Sequence, residues 1–334
     1  MVGKSVVVFG GGGYCGGVLV PQLIDDGWDV TVFDTFWYGV NHFPTSDSLH
    51  LVKGDVRNIS EVKKVLAGNK FVLHLACISN DASFELDERL STSVNLDSFE
   101  PLVVAAKEAG IERFVFASSS SVYGVSDSPD VKEDHPLVPL TLYNKYKGMC
   151  EPLLFKHTDE RFTGVVFRPA TVCGYSPRQR LDLSVNILTN HAVNKGKITV
   201  FGGDQLRPNL HIQDYVDLCK LLLLAPKSKV ADEIFNCGFQ NMSINEIAQI
   251  VKSVVEEEYP ERGPVPIVVT NSDDPRSYHI NSEKISKILG FIPKHSIEEA
   301  VRDLCRAFKD GKLPDSFDRD EYYNVRTMKS IGAR

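Results

Sequence analysis

No cysteine pattern in this sequence can staple the chain or chelate a metal. Its seven cysteines (Cys15, Cys77, Cys150, Cys173, Cys219, Cys237, Cys305) are odd in number and scattered, without a Cys-x-x-Cys or a paired Cys/His spacing. A disulfide framework and a zinc site are thereby excluded, and no metal is expected. Basic charge is scarce as well: 37 Lys and Arg against 44 Asp and Glu leave a net charge of −7. Neither nucleic acid nor an anionic membrane surface is expected as a partner of such a chain. Long apolar runs are missing too; the longest apolar helix candidate, 218–225, is too short to span a bilayer. The first apolar strand starts at Ser5, directly after Lys4, leaving no room for the charged and cleavable regions of a signal peptide. A cytoplasmic protein is the expectation. There is no internal repeat and no low-complexity segment.

What is present is an alternation. The 334 residues accommodate two average domains or one α/β enzyme with an appended lobe. Short apolar strands at 5–9, 29–33, 49–53, 71–75, 113–117 and 163–167 are separated by amphipathic helices at 14–26, 60–67, 92–109 and 142–156. Repeated βα units of this length predict an α/β fold, a Rossmann-type doubly wound parallel sheet. After Arg168 the pattern loosens into helices at 184–194, 212–225, 245–256, 282–289 and 297–308, short strands and proline-rich turns such as Gly263-Pro264-Val265-Pro266. This part reads as a smaller C-terminal α/β lobe over the C-terminal edge of the sheet, where ligands bind in such folds. The expected division is a dinucleotide-binding domain at 1–175, to which segments near 205–240 return, a substrate lobe at 176–310, and a charged, weakly patterned tail at 311–334.

Gly10-x-x-Gly13-x-x-Gly16 follows the first strand and opens a helix, the context a dinucleotide fingerprint requires. Glycines there allow backbone conformations that side chains forbid and let helix N–H groups approach a pyrophosphate. Asp34 ends the second strand, where a carboxylate accepts hydrogen bonds from both adenosine ribose hydroxyls and repels a 2′-phosphate. Thr35, Phe36 and Trp37 follow, with no Arg or Lys among them. NAD is expected rather than NADP. Asp55 and Val56, after Gly54, are placed to contact the adenine.

Tyr143 and Lys147 stand four residues apart, on one face of a predicted helix. A phenol with an ordinary pKa of about 10 is a poor base at neutral pH until a nearby cation stabilises the phenolate. Lys147 supplies such a cation, and Ser119, in the run Ser118 to Ser121, supplies a hydroxyl to hold the same substrate oxygen during hydride transfer. The Tyr-x-x-x-Lys pair alone is weak; its combination with the serine run and the glycine cluster is specific. His74 reads as a satisfied core histidine rather than a base. Cys77 and Cys173, near strand ends, read as small apolar fillers.

These residues resemble the extended short-chain dehydrogenase/reductase family, and within it the NAD-dependent nucleotide-sugar epimerases and dehydratases. The resemblance rests on Gly10-x-x-Gly13-x-x-Gly16, Asp34, Gly54-Asp55-Val56, His74-Leu75-Ala76, Asn95, Ser118-Ser119-Ser120-Ser121-Val122-Tyr123-Gly124 and Tyr143-x-x-x-Lys147. It extends through Phe201-Gly202-Gly203, Arg207-Pro208-Asn209-Leu210-His211-Ile212 and Leu289-Gly290-Phe291-x-Pro293. It implies that Tyr14, Cys15, Leu75, Ala76, Cys77, Asn95 and Pro169 join the glycines, Asp34, Asp55 and Val56 around NAD. Lys147 then also binds the nicotinamide ribose. A nucleoside-diphosphate sugar is the implied substrate, met by Ser120, Thr171, Arg178, Asn186, Arg207 and Arg276. Arg207 falls on an arginine that grips the substrate diphosphate, with Arg276 a weaker candidate for that task; Arg178 and Asn186 are expected either to line the sugar pocket or to cap and brace the lobe. A homodimer through helices 92–109 and 142–156 is implied as well.

The same resemblance implies a first step in which the base takes the sugar's 4-OH proton while C4 gives up hydride to NAD. The group's 4,6-dehydratases carry an Asp-Glu pair just after the catalytic threonine, where this chain has Ser120 and Ser121. Its decarboxylases place a glutamate at the Ser121 position and its 3,5-epimerase/reductases a cysteine. Unactivated hydroxyls do not supply that proton traffic. Redox at C4 alone is therefore expected: a C4 epimerase first, with a hexose or heptose 4-dehydrogenase as the alternative. The stretch from Arg168-Pro169-Ala170 to Leu181-Asp182-Leu183 departs from the galactose-type pattern and looks closer to a branch that includes nucleotide-heptose 4-dehydrogenases. A non-catalytic NAD sensor is the third reading, disfavoured because such proteins tend to lose the tyrosine or the lysine.

Overall fold

The computed structural model describes residues 3–126, 128, 130–271 and 277–333. The chain first lays down β1 (Ser5–Phe9), β2 (Asp29–Asp34), β3 (Leu49–Lys53), β4 (Phe71–His74), β5 (Arg113–Ala117) and β6 (Thr163–Pro169). Next come β7 (Thr171–Cys173), β8 (Ile198–Phe201), β9 (Leu206–His211), β10 (Glu233–Cys237), β11 (Gln240–Ser243) and β12 (Ile267–Thr270). Seven of these form one parallel sheet in the order β10-β6-β5-β4-β1-β2-β3. Near-continuous apolar runs such as Val6-Val7-Val8 are what a strand covered on both faces needs, and all three are fully buried. The strand order reverses between β1 and β4, so the loops after them diverge and open a crevice at the carboxyl ends of the strands.

Outside this sheet, β9 lies between β11 and β7, and β12 pairs with β8. The helices Ser184–Lys195, Ile244–Glu258 and Ile297–Lys309 bury Val185, Ile247, Val251 and Val301 together beside these strands. Two of those helices begin with a full capping box, Ser243 with Glu246 and Ser296 with Glu299, which satisfies N–H groups that have no partner within the helix. The helix Ile212–Leu224 and β10 contribute Leu218, Leu222 and Phe235 to the same core as Val6 and Val8.

One expectation about the elements needs correction. The single helix at 92–109 is broken: a wide π-helical turn, Ser93–Asp97, precedes the helix Phe99–Glu108. The weakly patterned tail is ordered. Leu313, Tyr322 and Tyr323 pack against Leu181 and Leu304, and the helix Asn324–Ser330 sets Met328 against Ile78 and Leu90.

His74 is a core residue without being satisfied. Its ring lies 5.3 to 6.1 Å from the rings of Phe9, Phe99, Phe114 and Phe116, and neither ring nitrogen has a hydrogen-bond partner among the described residues. Burial, with a lesser contribution from Lys147, pulls its pKa down to about 3. Below an unfolded value of about 6.5 the unfolded chain takes up a proton that the folded ring refuses. Stability is thus complete above pH 6.5 and declines as the pH falls towards the folded value, by about 2 kcal/mol between pH 6.5 and 5 from this group. His74→Phe should remove that loss, so urea denaturation should show a larger gain at pH 5 than at pH 7.5. Equal gains at both would mean that the ring is not held neutral by its site.

Candidate active site

The crevice is a cavity of about 570 Å³ bounded by the loops after β1, β4, β5 and β6 and by residues of the second lobe. Its floor is the glycine loop. Gly10 has φ +78°, and a Cβ there would stand 2.4 Å from the backbone N and Cα of Ala76; only glycine lets β1 and β4 end so close together. A Cβ at Gly16 would lie 2.0 Å from the Gly11 carbonyl oxygen. The Asp34 carboxylate faces this loop, accepting from Gly12 N at 2.9 Å and Phe36 N at 2.7 Å. Burial raises its pKa, while those N–H groups and the Arg178 charge act in the opposite sense. A cradle that a side chain would fill, and a carboxylate fixed beside it, fit NAD. Tyr14, Cys15, Asp55, Val56, Leu75, Ala76, Cys77 and Pro169 line the same cavity.

Ser119, Tyr143 and Lys147 all line the cavity, on the side formed by the end of β5 and the helix Leu142–Phe155. Thr141 caps that helix, accepting from Asn144 N, and its hydroxyl donates to Asp81 Oδ1 at 2.6 Å. Burial pushes the Tyr143 phenol well above its ordinary range, Cys77 and Asp81 add to the rise, and Arg180 opposes it. Lys147 is buried, donates from Nζ to Ala117 O at 2.7 Å and sits 5.0 Å above the Phe116 ring. The Ser119 hydroxyl is tied to Ser121 Oγ at 2.7 Å, and Ser121 donates in turn to Asn144 Oδ1. Ser121 is therefore a strut between the serine run and the helix that bears Tyr143.

Ser120, Thr171 and Arg207 also line the cavity. Arg207, on β9, lies 5.5 Å from the Tyr278 ring. Arg276 lies outside the described residues. Two sequence-predicted contacts do not reach the cavity. Asn186 is fully buried and spends its amide on Gly174 N, Tyr14 Oη and Arg180 O, bracing the second lobe against the glycine loop. Asn95 uses its amide on both the N–H and the carbonyl of Ile78, holding the loop after β4. Arg178 lines the cavity beside the first turn of the helix Gly16–Asp25.

Several lining residues escaped the sequence reading. Arg180 is buried, pairs with Asp182 at 2.9 Å and donates to Ser79 Oγ at 3.2 Å. Ser79, Asp81, Asn144, Tyr278 and, from the C-terminal helix, Asn324 and Met328 complete the wall. Asn324 joins the site from 146 positions beyond Arg178, and no local pattern marks such a residue.

The model of the NAD dependent epimerase/dehydratase family matches residues 6–238. A UDP-glucose 4-epimerase of Lactobacillus helveticus is 28% identical over 311 residues, covering 87% of this chain and 92% of that one. UDP-glucuronic acid decarboxylase 1 of Arabidopsis thaliana is 27% identical over 322 residues, 92% of this chain and 70% of that one. Among solved structures, MoeE5 in complex with UDP-glucose and NAD has a TM-score of 0.78 at 26% identity, covering 92% of this chain and 99% of that one. The UDP-N-acetylglucosamine 4-epimerase from Methanobrevibacter ruminantium M1 shares the fold, with a TM-score of 0.82 at 23% identity over 93% of this chain and all of that one.

Proposed function

Because the chain belongs to the NAD dependent epimerase/dehydratase family, we propose that it inverts C4 of a nucleoside-diphosphate sugar through a transient 4-keto intermediate. The observation that carries this reading is the wall beside Ser119. The Ser121 hydroxyl there is committed to Ser119 and Asn144, and Ser120 adds only another hydroxyl. Protonating a 6-OH leaving group or removing a C5 proton calls for an acid and a base of suitable pKa, which these two serines do not provide.

In this reading Tyr143 Oη takes the proton from the sugar 4-OH and later returns it to the ketone oxygen, while Ser119 Oγ holds that oxygen in place. Bound NAD supplies the acceptor and the donor for the hydride at C4. Arg207 presents a planar guanidinium, suited to a diphosphate, on the same strand that feeds the second lobe. Inversion requires only that the keto sugar turn over before the second proton and hydride transfers. A second reading, release of the ketone by a 4-dehydrogenase, is favoured by the 168–183 stretch, which resembles a nucleotide-heptose dehydrogenase branch. The test is incubation with UDP-, GDP-, CDP- and dTDP-sugars, following absorbance at 340 nm and identifying products by NMR. A C4-inverted product without net NADH is expected. Stoichiometric NADH with a 4-keto sugar would replace the epimerase by the dehydrogenase.

A further inference from the structure

Arg178 is a buried cation whose hydrogen bonds, among the described residues, run only to neutral oxygens. Its Nη2 donates to Asn324 Oδ1 at 2.7 Å and its Nη1 to Gln179 O at 3.4 Å, while its Nε, equally buried, has no partner among the described residues. No carboxylate among the described residues is at ion-pair distance. Asp182 is engaged by Arg180, and Asp34 by the Gly12 and Phe36 N–H groups. Burial drags the guanidinium down to about 10, with Asp182 and Asp34 opposing the fall only from beyond ion-pair distance. Leaving a charged group in that condition is unfavourable unless an anion completes its surroundings.

The position of Arg178 specifies the anion. A Cβ at Gly17 would stand 3.4 Å from both Arg178 N and Arg178 Cβ, so the arginine borders the first turn of the glycine-loop helix. Its guanidinium stacks 3.5 Å above the Tyr38 ring, in the cavity that also contains Gly13, Gly16 and Asp34. Helix N–H groups and a cation converge there, the chemistry that recognises a phosphate.

We infer that Arg178 clamps the pyrophosphate of the bound dinucleotide, and that the C-terminal helix, through Asn324, positions it. Asn324 is fixed on three sides. Its Oδ1 accepts from Arg178, its Nδ2 donates to Ser79 Oγ at 3.0 Å and its backbone N–H donates to Asp182 Oδ2 at 3.2 Å. The helix that carries it rests on Ile78 and Leu90 through Met328, while Tyr322 and Tyr323 before it are anchored on Leu181 and Leu304 of the second lobe. Residues 313–333 are therefore a latch that ties the substrate lobe to the cofactor side of the cleft. An enzyme that must keep its cofactor through oxidation and reduction gains from such a retention device, although the inference itself concerns NAD binding alone.

The test is isothermal titration of the full-length chain with NAD, ADP-ribose, adenosine and NADP. Arg178→Met should weaken NAD and ADP-ribose by about 30-fold, the scale of a charge-assisted hydrogen bond, and leave adenosine nearly unchanged. An undisturbed NAD affinity, an equal loss for adenosine, or a loss confined to NADP would overturn the assignment. Asn324→Asp keeps the hydrogen-bond acceptor and adds the missing counter-charge. It should hold the melting temperature while lowering NAD affinity about tenfold. Unchanged NAD affinity in that variant, or a fall in melting temperature that accounts for the lost binding, would overturn the positioning role. Neither measurement passes through sugar chemistry, so its failure and that of the epimerase reading are separable.

Discussion

Tyr143→Phe should lower turnover about a thousandfold while NAD affinity stays close to that of the parent, because a positioned general base contributes on that scale. The phenol is governed by burial first and by the charges around it second, so removing its oxygen alters the chemistry more than the packing. Burial holds the group protonated in the free protein, and the base form must be drawn out by positive charge. Arg180 supplies some of that charge; the lysine, with Nζ on Ala117 O, is braced at the end of β5. The rate of the chemical step should accordingly rise with pH through the neutral range, since the working form is the deprotonated one. Arg180→Met should move that rise to higher pH. Near-normal turnover in Tyr143→Phe, measured with the substrate that the panel identifies, would remove the tyrosine from the role of base.

The parts of this site that can be read in one dimension are those in which backbone and chemistry are neighbours in sequence. Gly10 to Gly16 declares both a tight turn and a phosphate cradle, and Tyr143 with Lys147 shares a helix face. The parallel sheet follows from the same local logic, strand after apolar strand. Asn95 shows where it stops. Its position matches a family motif, yet the π-helical turn around it directs the amide to Ile78, and no periodicity forecasts a five-residue widening of a helix. Ser121 looks like one more hydroxyl until Asn144, 23 positions later, accepts its hydrogen bond. Arg178 and Asn324 are far apart in the chain, and only the docking of the C-terminal helix makes them a pair. The tail seemed unpatterned because its apolar residues are divided between two cores, the second lobe and the loop after β4.

Glu151→Ala should cost about 3–5 kcal/mol of folding stability, the range for removing one partner of a buried ion pair. Glu151 continues the stripe of Tyr143 and Lys147 by one more turn and is buried against β6. Its Oε1 accepts from Ser118 Oγ at 2.6 Å and from Arg168 Nε at 2.9 Å, and its Oε2 accepts from Arg168 Nη2 at 2.6 Å. Arg168 then donates to Tyr123 Oη at 2.6 Å, which itself donates to Asn236 Oδ1 at 2.6 Å. One carboxylate thus seats the helix that bears Tyr143 against the serine run and, through Arg168, against β6. Without it the guanidinium is stranded, so the loss reflects an uncompensated buried charge more than the worth of the pair. Replacing both partners, Glu151→Leu with Arg168→Met, should therefore recover much of the stability in urea denaturation. Activity should not recover with it, because the double variant no longer holds Ser118, and through it the serine run, to the helix that bears Tyr143. If the single variant stays within about 1 kcal/mol of the parent, below what a stranded buried charge costs, the ion pair is not what seats that helix.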